Sequence, residues 1–340
     1  MRVVTFGEIM LKLQPEGYLR FFQNDKMLAT FGGAEANVAV SLANFGLDSR
    51  YVTKLPEGPI GQGAVNALRY FGVDVSKIAR GGERIGIYFA EKGASQRGSV
   101  CIYDRDNSAI KKASAGDFDW DDIFDGADWF HYTGITPALG ENVYEILLSA
   151  VKKAKEKGIT VSCDLNYRSK LWTRERARVA MTELCKYTDV ICANEEDAKD
   201  VFGINAGDAT DVKGGKLDLA GYERSAAALQ QMFGAKYVAY TLRTSINASD
   251  NEWQGMLYDG SEFYYSKKYR IHIVDRVGGG DSFSAGLIYS FLNGKTPQEA
   301  VAFAVAASCL KHSIEGDFNM VSVAEVEKLA KGDGSGRVVR

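Results

Sequence analysis

The strongest constraint on the fold is an alternation that runs, with one interruption, along the chain: short apolar run, polar strand end, helix-period segment, glycine stop. Val3-Val4-Thr5-Phe6 ends at Gly7, and Val38, Leu42 and Phe45 then recur at helical spacing before Gly46. Tyr51-Val52-Thr53 precedes a helix through Val65, Leu68 and Phe71, stopped at Gly72. Trp129-Phe130-His131-Tyr132 precedes an amphipathic helix from Glu141 to Lys157, with Gly158 behind it. Further strands read at 159–163, 190–193 and 237–241. Strands that alternate with helices predict an α/β fold, a parallel sheet covered on both faces. No G-x-G-x-x-G follows the first strand, which speaks against a Rossmann dehydrogenase.

The interruption falls at about 82–113. Residues 86–91 and 99–103 read as two strands joined by Lys92–Gly98, a hairpin without an intervening helix, and therefore outside the main sheet. The stretch 13–31 lacks helical periodicity and is expected to add to it. The division that follows is a main domain of 1–12, 32–83 and 114–340 and a small β unit of 13–31 and 84–113. Asp259-Gly260 between two strand-like runs signals a second hairpin. Thr296-Pro297-Gln298-Glu299 reads as a capping box with proline at the first helical position. The polar, Gly-rich segment 203–221 is expected to be a surface insertion.

Composition excludes several classes. The formal net charge of −3 over 340 residues gives no sign of a nucleic-acid partner. No apolar run approaches a membrane span. The five cysteines are scattered and mostly embedded in apolar runs, which reads as reduced thiols in a cytoplasmic protein. The three histidines show no metal spacing.

Chemistry concentrates in Val274-Asp275-Arg276-Val277-Gly278-Gly279-Gly280-Asp281-Ser282-Phe283. Phe283, Leu287, Ile288, Phe291 and Leu292 recur at helical spacing, so the glycines run into a helix start. Unpaired N–H groups and the partial positive charge of a helix N-terminus stabilise an anion, and glycine lets that backbone approach a phosphate. Asp281 has two readings: a favoured N-cap residue, or a carboxylate that takes the proton of an attacking hydroxyl beside the phosphate. Polar groups at other strand ends, Asp164–Arg168, Asn194–Asp197 and Thr241–Arg243, fall where an open parallel sheet collects its ligands.

These two features together, Gly32-Gly33-Ala34-Glu35-Ala36-Asn37 and Asp275-Arg276-Val277-Gly278-Gly279-Gly280-Asp281, resemble the ribokinase-like (PfkB) family of sugar kinases over nearly the whole chain. The resemblance implies a Rossmann-like α/β domain with a small β-sheet lid, ATP and Mg²⁺ as cofactors, and Gly278, Gly279 and Gly280 as an anion hole with Asp281 as base. It also implies nucleotide contacts from Asn194, Thr241, Arg243, Gly278 and Gly280. Asn194 and Asp197 are similar to the family's Asn-x-x-Glu element, which assigns Asp197 to the metal; Asp is one methylene shorter than the usual Glu. Within the family the chain is most similar to the 2-keto-3-deoxygluconate kinases, through Gly7-Glu8, Tyr103-Asp104-Arg105, Thr133–Leu139 and Asp164–Arg168 with Leu171-Trp172.

For the sugar, the resemblance points to Gly33 and Asn37 and to Asp281 itself. A carboxylate-bearing substrate fits two arginines, Arg105 on the lid and Arg168 at a strand end, with Tyr88 and Tyr103 as hydroxyl donors and an apolar wall. A fructokinase or another sugar kinase of the family is the near alternative, and a non-catalytic sugar-binding module the distant one. A hairpin outside the sheet leaves Ile87, Phe89, Val100 and Ile102 without a core, and a homodimer through the lid would cover them.

Overall fold

Neighbouring residues in the central strands are buried on opposite sides of one sheet. Val4, Phe130 and Ile191 belong to a core shared with Val143, Ile146 and Leu147 of the helix Glu141–Glu156. Val3, Trp129 and Val190 belong to the opposite core, shared with Val38, Ile288 and Phe303. Strands apolar on both faces are what a parallel sheet between two helix layers demands, so the period-2 signature of a half-exposed strand is missing from them. The computed structural model describes residues 1–194, 196–205 and 217–336.

Among the described residues the large sheet has nine strands. From one edge inward run Phe263–Tyr265, Asp250–Tyr258, Tyr237–Ser245, Val190–Ala193, Thr160–Asp164, Ala127–Thr133, Arg2–Phe6 and Asp48–Val52, with Tyr269–His272 also paired to Asp250–Tyr258. Every pairing from Tyr237–Ser245 to Asp48–Val52 is parallel. The Asp259-Gly260 turn joins an antiparallel hairpin: Asp259 Oδ1 accepts from Ser261 and Glu262 N–H, and Gly260 sits at φ 92°. The capping box at Thr296 and Glu299 is formed, opening the helix Pro297–Lys311.

A separate four-stranded sheet has the order Leu28–Gly32, Met10–Gln14, Ile87–Glu91, Val100–Asp104. It differs from the expected lid of 13–31 and 84–113 at two borders. The first strand begins at Met10, because Met10, Lys12 and Gln14 alternate to the buried side. At the other border, Ile110 and Ala113 pack into the main core with Phe118 and Trp120. Of the segment 203–221, residues 206–216 lie outside the described residues.

Candidate active site

A cavity of about 1280 Å³ lies at the carboxyl ends of the parallel strands, walled on one side by the small sheet. Glu8, Ile135, Asp164, Asn194 and Thr241 come from those strand ends, and Tyr88 and Tyr103 from the small sheet. The glycine turn and Asp281 form its floor.

The helix Gly279–Leu292 begins behind Gly278, which is its N-cap at φ 84° and ψ −1°. Left-handed backbone there suits glycine, and a Cβ would lie 2.2 Å from the carbonyl oxygen of Asp317. Asp281 is therefore in the first helical turn and not at the cap, which removes the cap reading. Gly279 is tight for a different reason than a phosphate: its Cβ would meet the His312 ring at 2.4 Å. Gly280 is exposed, and a Cβ on it meets nothing within 4 Å. That open side of the turn is the one available to an anion.

Asp281 Oδ2 accepts from Asn37 Nδ2 at 2.7 Å. Burial pushes its pKa up to about 7, against the lowering effect of the Asn37 hydrogen bond, with Glu35 and Asp317 adding repulsion and Arg168 offsetting it. Asn37 joins the two glycine-bearing motifs, 244 residues apart in sequence. Its Oδ1 also lies 3.4 Å from Gly33 N–H. Gly33 is extended at φ 175°, so its constraint is space: a Cβ would lie 2.0 Å from the Glu8 carbonyl oxygen. A carboxylate with a pKa near neutrality, held by one amide and open to a cavity, has the properties of a general base.

On the strand-end side, Asn194, Thr241 and Arg243 line the cavity beside the glycine turn, together with Arg276. Burial and then the Arg243 charge lower the Arg276 pKa, so the two guanidinium groups share one region. Paired positive charge next to a helix N-terminus suits a polyphosphate. On the small-sheet side, Tyr103 stacks on Tyr88 with ring centroids 6.0 Å apart. Arg168 is exposed on the cavity wall and donates to the Tyr167 carbonyl oxygen at 3.0 Å. The turn leading to it is shaped by Asn166 at φ 40°, a conformation asparagine tolerates better than most residues.

The model of the "pfkB family carbohydrate kinase" matches residues 1–321. The chain belongs to this family. A crystal structure of 2-dehydro-3-deoxygluconokinase from Thermotoga maritima is similar to it at 52% identity and a TM-score of 0.93, covering 98% of each chain. A 2-dehydro-3-deoxygalactonokinase from Haloferax volcanii is 31% identical over 98% of both chains. A 2-dehydro-3-deoxygluconokinase from Bacillus subtilis is 26% identical over 96% of this chain and 94% of its own. The protein is thus an ATP-dependent sugar kinase, and sugar kinases of this family use ATP with Mg²⁺.

Three expected roles change in this kinase. Tyr88 does not offer its hydroxyl to the cavity: it donates to Asp317 Oδ2. Arg105 is buried, and its Nε donates to Glu8 Oε2 at 2.8 Å while Nη2 meets the same oxygen. Glu8 also accepts from Ser108 at 2.6 Å. Arg105 is therefore already neutralised, and the exposed arginine of the expected pair is Arg168. Asp197 is 2% exposed, and its oxygens accept from the N–H groups of Tyr167 and Asn194, both at 3.0 Å. It ties two strand-end loops together and is not among the cavity-lining residues. Among the carboxylates that do line the cavity is Asp164, whose pKa is raised well above the ordinary range by burial, then by the charges of Asp197 and Asp281. In the sequence, Asp164 is marked only as part of a polar strand end.

The donor set fits Mg²⁺ in one particular way. Among the described residues no group of three or more His, Cys, Asp or Glu side chains is disposed to hold a metal ion. Mg²⁺ is commonly held by one or two carboxylates together with substrate phosphates. Asp164, beside the glycine turn, fits that mode.

Proposed function

We propose that this kinase transfers the γ-phosphoryl group of ATP to the terminal O6 hydroxyl of 2-keto-3-deoxygluconate. The observation that carries the reading is Asp281: a base with a pKa of about 7, held by Asn37 at the mouth of a glycine turn, in a cavity that also presents Arg168. Asp281 takes the hydroxyl proton as the sugar oxygen attacks phosphorus in line. The N–H groups at the start of the helix Gly279–Leu292 receive the charge that develops on the equatorial oxygens. Gly278 shapes the turn, Gly280 leaves it open, and Arg243 and Arg276 support nucleotide phosphates beside Asn194 and Thr241. Asp164 would hold Mg²⁺, which would supply charge neutralisation on the nucleotide phosphates when bound.

On the sugar side, Arg168 recognises the substrate carboxylate, Tyr103 gives a wall, and Arg105 acts from its Glu8-bound position. Two of the similar proteins described above carry the name of a 2-dehydro-3-deoxygluconokinase, which supports the same substrate. The test is coupled ADP release over a panel of 2-keto-3-deoxygluconate, its galactonate epimer, and fructose. The expected order places the gluconate first and fructose last. Fructose as the best substrate removes the sugar-acid assignment and leaves the kinase.

We further propose a homodimer formed through the small sheet. Phe89 and Ile102 are paired neighbours on one face, and Val100 and Ile102 are 36% and 51% exposed. A second copy of that face would cover them. Sedimentation at micromolar concentration should give a dimer, and a monomer contradicts it. Five free cysteines accord with a cytoplasmic location, and none of the described helices is long and apolar enough to cross a membrane.

A further inference from the structure

Lys12 is carried on the inward side of the small sheet and is 1% exposed. Its Nζ lies 2.7 Å from Asp317 Oδ1 and 3.6 Å from Asp275 Oδ2. Burial acts to lower the Lys12 pKa, but the charges of Asp317 and Asp275 outweigh it and raise the value, so the ammonium stays charged. The two residues it joins both border the glycine turn, Asp275 through its carboxylate and Asp317 through its backbone carbonyl. Asp275 Oδ1 accepts from Val277 N–H at 3.1 Å, and its Oδ2 accepts from Gly316 N–H at 3.2 Å. The Asp317 carbonyl oxygen occupies the space that a Cβ on Gly278 would need, 2.2 Å away.

The small sheet is fitted to this arrangement from its own side. A Cβ on Gly32 would lie 2.1 Å from Asp317 Oδ2, so only glycine there lets Asp317 dock, and Tyr88 donates to the same oxygen. Lys311, fully buried, completes the cluster by donating to the Ile314 carbonyl oxygen at 3.2 Å. Unseating the small sheet would take the Lys12 charge away from two carboxylates that are buried beside it, a loss of charge compensation with a large cost.

We propose that Lys12 is a positioning residue for phosphoryl transfer: the turn Gly278–Gly280 takes its anion-holding shape while Lys12 is seated between Asp317 and Asp275, which makes seating of the small sheet and organisation of the phosphate site one event. Lys12 touches neither the sugar nor the nucleotide in this role. It acts through the Asp275 and Asp317 contacts, and it does so for whichever sugar the panel finds best.

The experiment compares native, Lys12→Met, Lys12→Arg, Asp317→Asn and Lys12→Met/Asp317→Asn proteins with that sugar, well below each melting temperature. In Lys12→Met, kcat should fall by about 10²-fold, the scale of an ångström-sized misplacement at a reacting centre. The KM for sugar should stay within about threefold, and ADP with aluminium fluoride should lose its tight complex. The double variant should be no slower than the slower single variant, because both act through one contact. Lys12→Arg keeps the charge and should recover most of kcat; it also serves if Lys12→Met fails to fold. A folded Lys12→Met with native kcat overturns the proposal. So do single effects that multiply in the double variant, or a Lys12→Arg protein as slow as a folded Lys12→Met.

Discussion

The two walls of the cavity are built from different forces. The glycine turn and the strand ends are set by backbone: Gly278 in the left-handed region, helix N–H groups, and Asp197 bonded to two main-chain amides. The small sheet is seated through side-chain charge: Lys12 and Tyr88 on Asp317, and Arg105 on Glu8. Backbone geometry, once folded, has few alternatives, whereas ion pairs and hydroxyl contacts separate and re-form without breaking a strand. The first wall is suited to hold a transition state, and the second to admit and retain a sugar.

Breaking the first wall should cost most. Asp281→Asn keeps the shape of the side chain but removes proton acceptance, and kcat should fall by about 10²–10⁴; a circular-dichroism melt confirms that the fold persists. Near-native turnover would mean that the base lies elsewhere. Next, the glycines separate packing from catalysis. Gly280→Val points into open space and should lower kcat by about 10²-fold with little change in melting temperature. Gly279→Val presses on His312 and should lower the melting temperature as well. Equal melting losses in both would erase the distinction.

The arginines assigned to the sugar, Arg168 at a strand end and Arg105 beside the small sheet, should respond in KM. Arg168→Ala should raise KM for the sugar acid by about 10- to 150-fold, the value of one charge-assisted hydrogen bond of about 1.5–3 kcal/mol, and leave the KM for ATP unchanged. Arg105→Ala should add a stability loss, since it leaves the buried Glu8 carboxylate without the guanidinium that balances its charge. A smaller effect sharpens the picture of Asp281. Its folded pKa of about 7 stands above the unfolded value of about 3.9. Between those values the folded state holds a proton that the unfolded chain has released, so this group's contribution to stability declines as pH rises through the window. The slope is below about 1.4 kcal/mol per pH unit, reduced because one side of the group is open to solvent. Asp281→Asn should therefore melt higher than the native protein at pH 8 and alike at pH 4. The acid limb of native kcat/KM should fall near pH 7.

The parallel sheet was legible because apolar runs, glycine stops and helical periods are local signals; so were the Asp259-Gly260 hairpin and the Thr296 capping box. Asp281 was legible as a site through its glycines, but the rejection of its cap reading needed the backbone of Gly278. What the sequence conceals is pairing over distance. Nothing near Lys12 announces Asp317, 305 residues away, or tells that Arg105 is spent on Glu8, 97 residues away. The Asp197 assignment misled for the same reason: an acid at a strand end can face the ligand, as Asp164 does, or cap the loop beside it. Only packing decides between the two.

The chain enters and leaves the small sheet at four places, and two of them are short. Residues 7–9 alone separate Phe6 from Met10, and Gly33 alone separates Gly32 from Ala34. The latter link is pressed against the Glu8 carbonyl oxygen. Links this short fix the plate's near end against the domain, so a tilt of the plate would pivot near Glu8 and Gly33. Such a lever moves least at Arg105, which lies against Glu8, and most at the far end of the strand Ile87–Glu91, five residues and about 16 Å long. That far end carries Ser95, whose N–H donates to Ser249 Oγ at 3.0 Å and whose carbonyl oxygen accepts from Ala248 N–H at 2.7 Å. Arg276 holds the same Ala248 from below at 2.9 Å. The tip of the lever thus rests on a turn that Arg276, from the glycine-bearing segment, also holds.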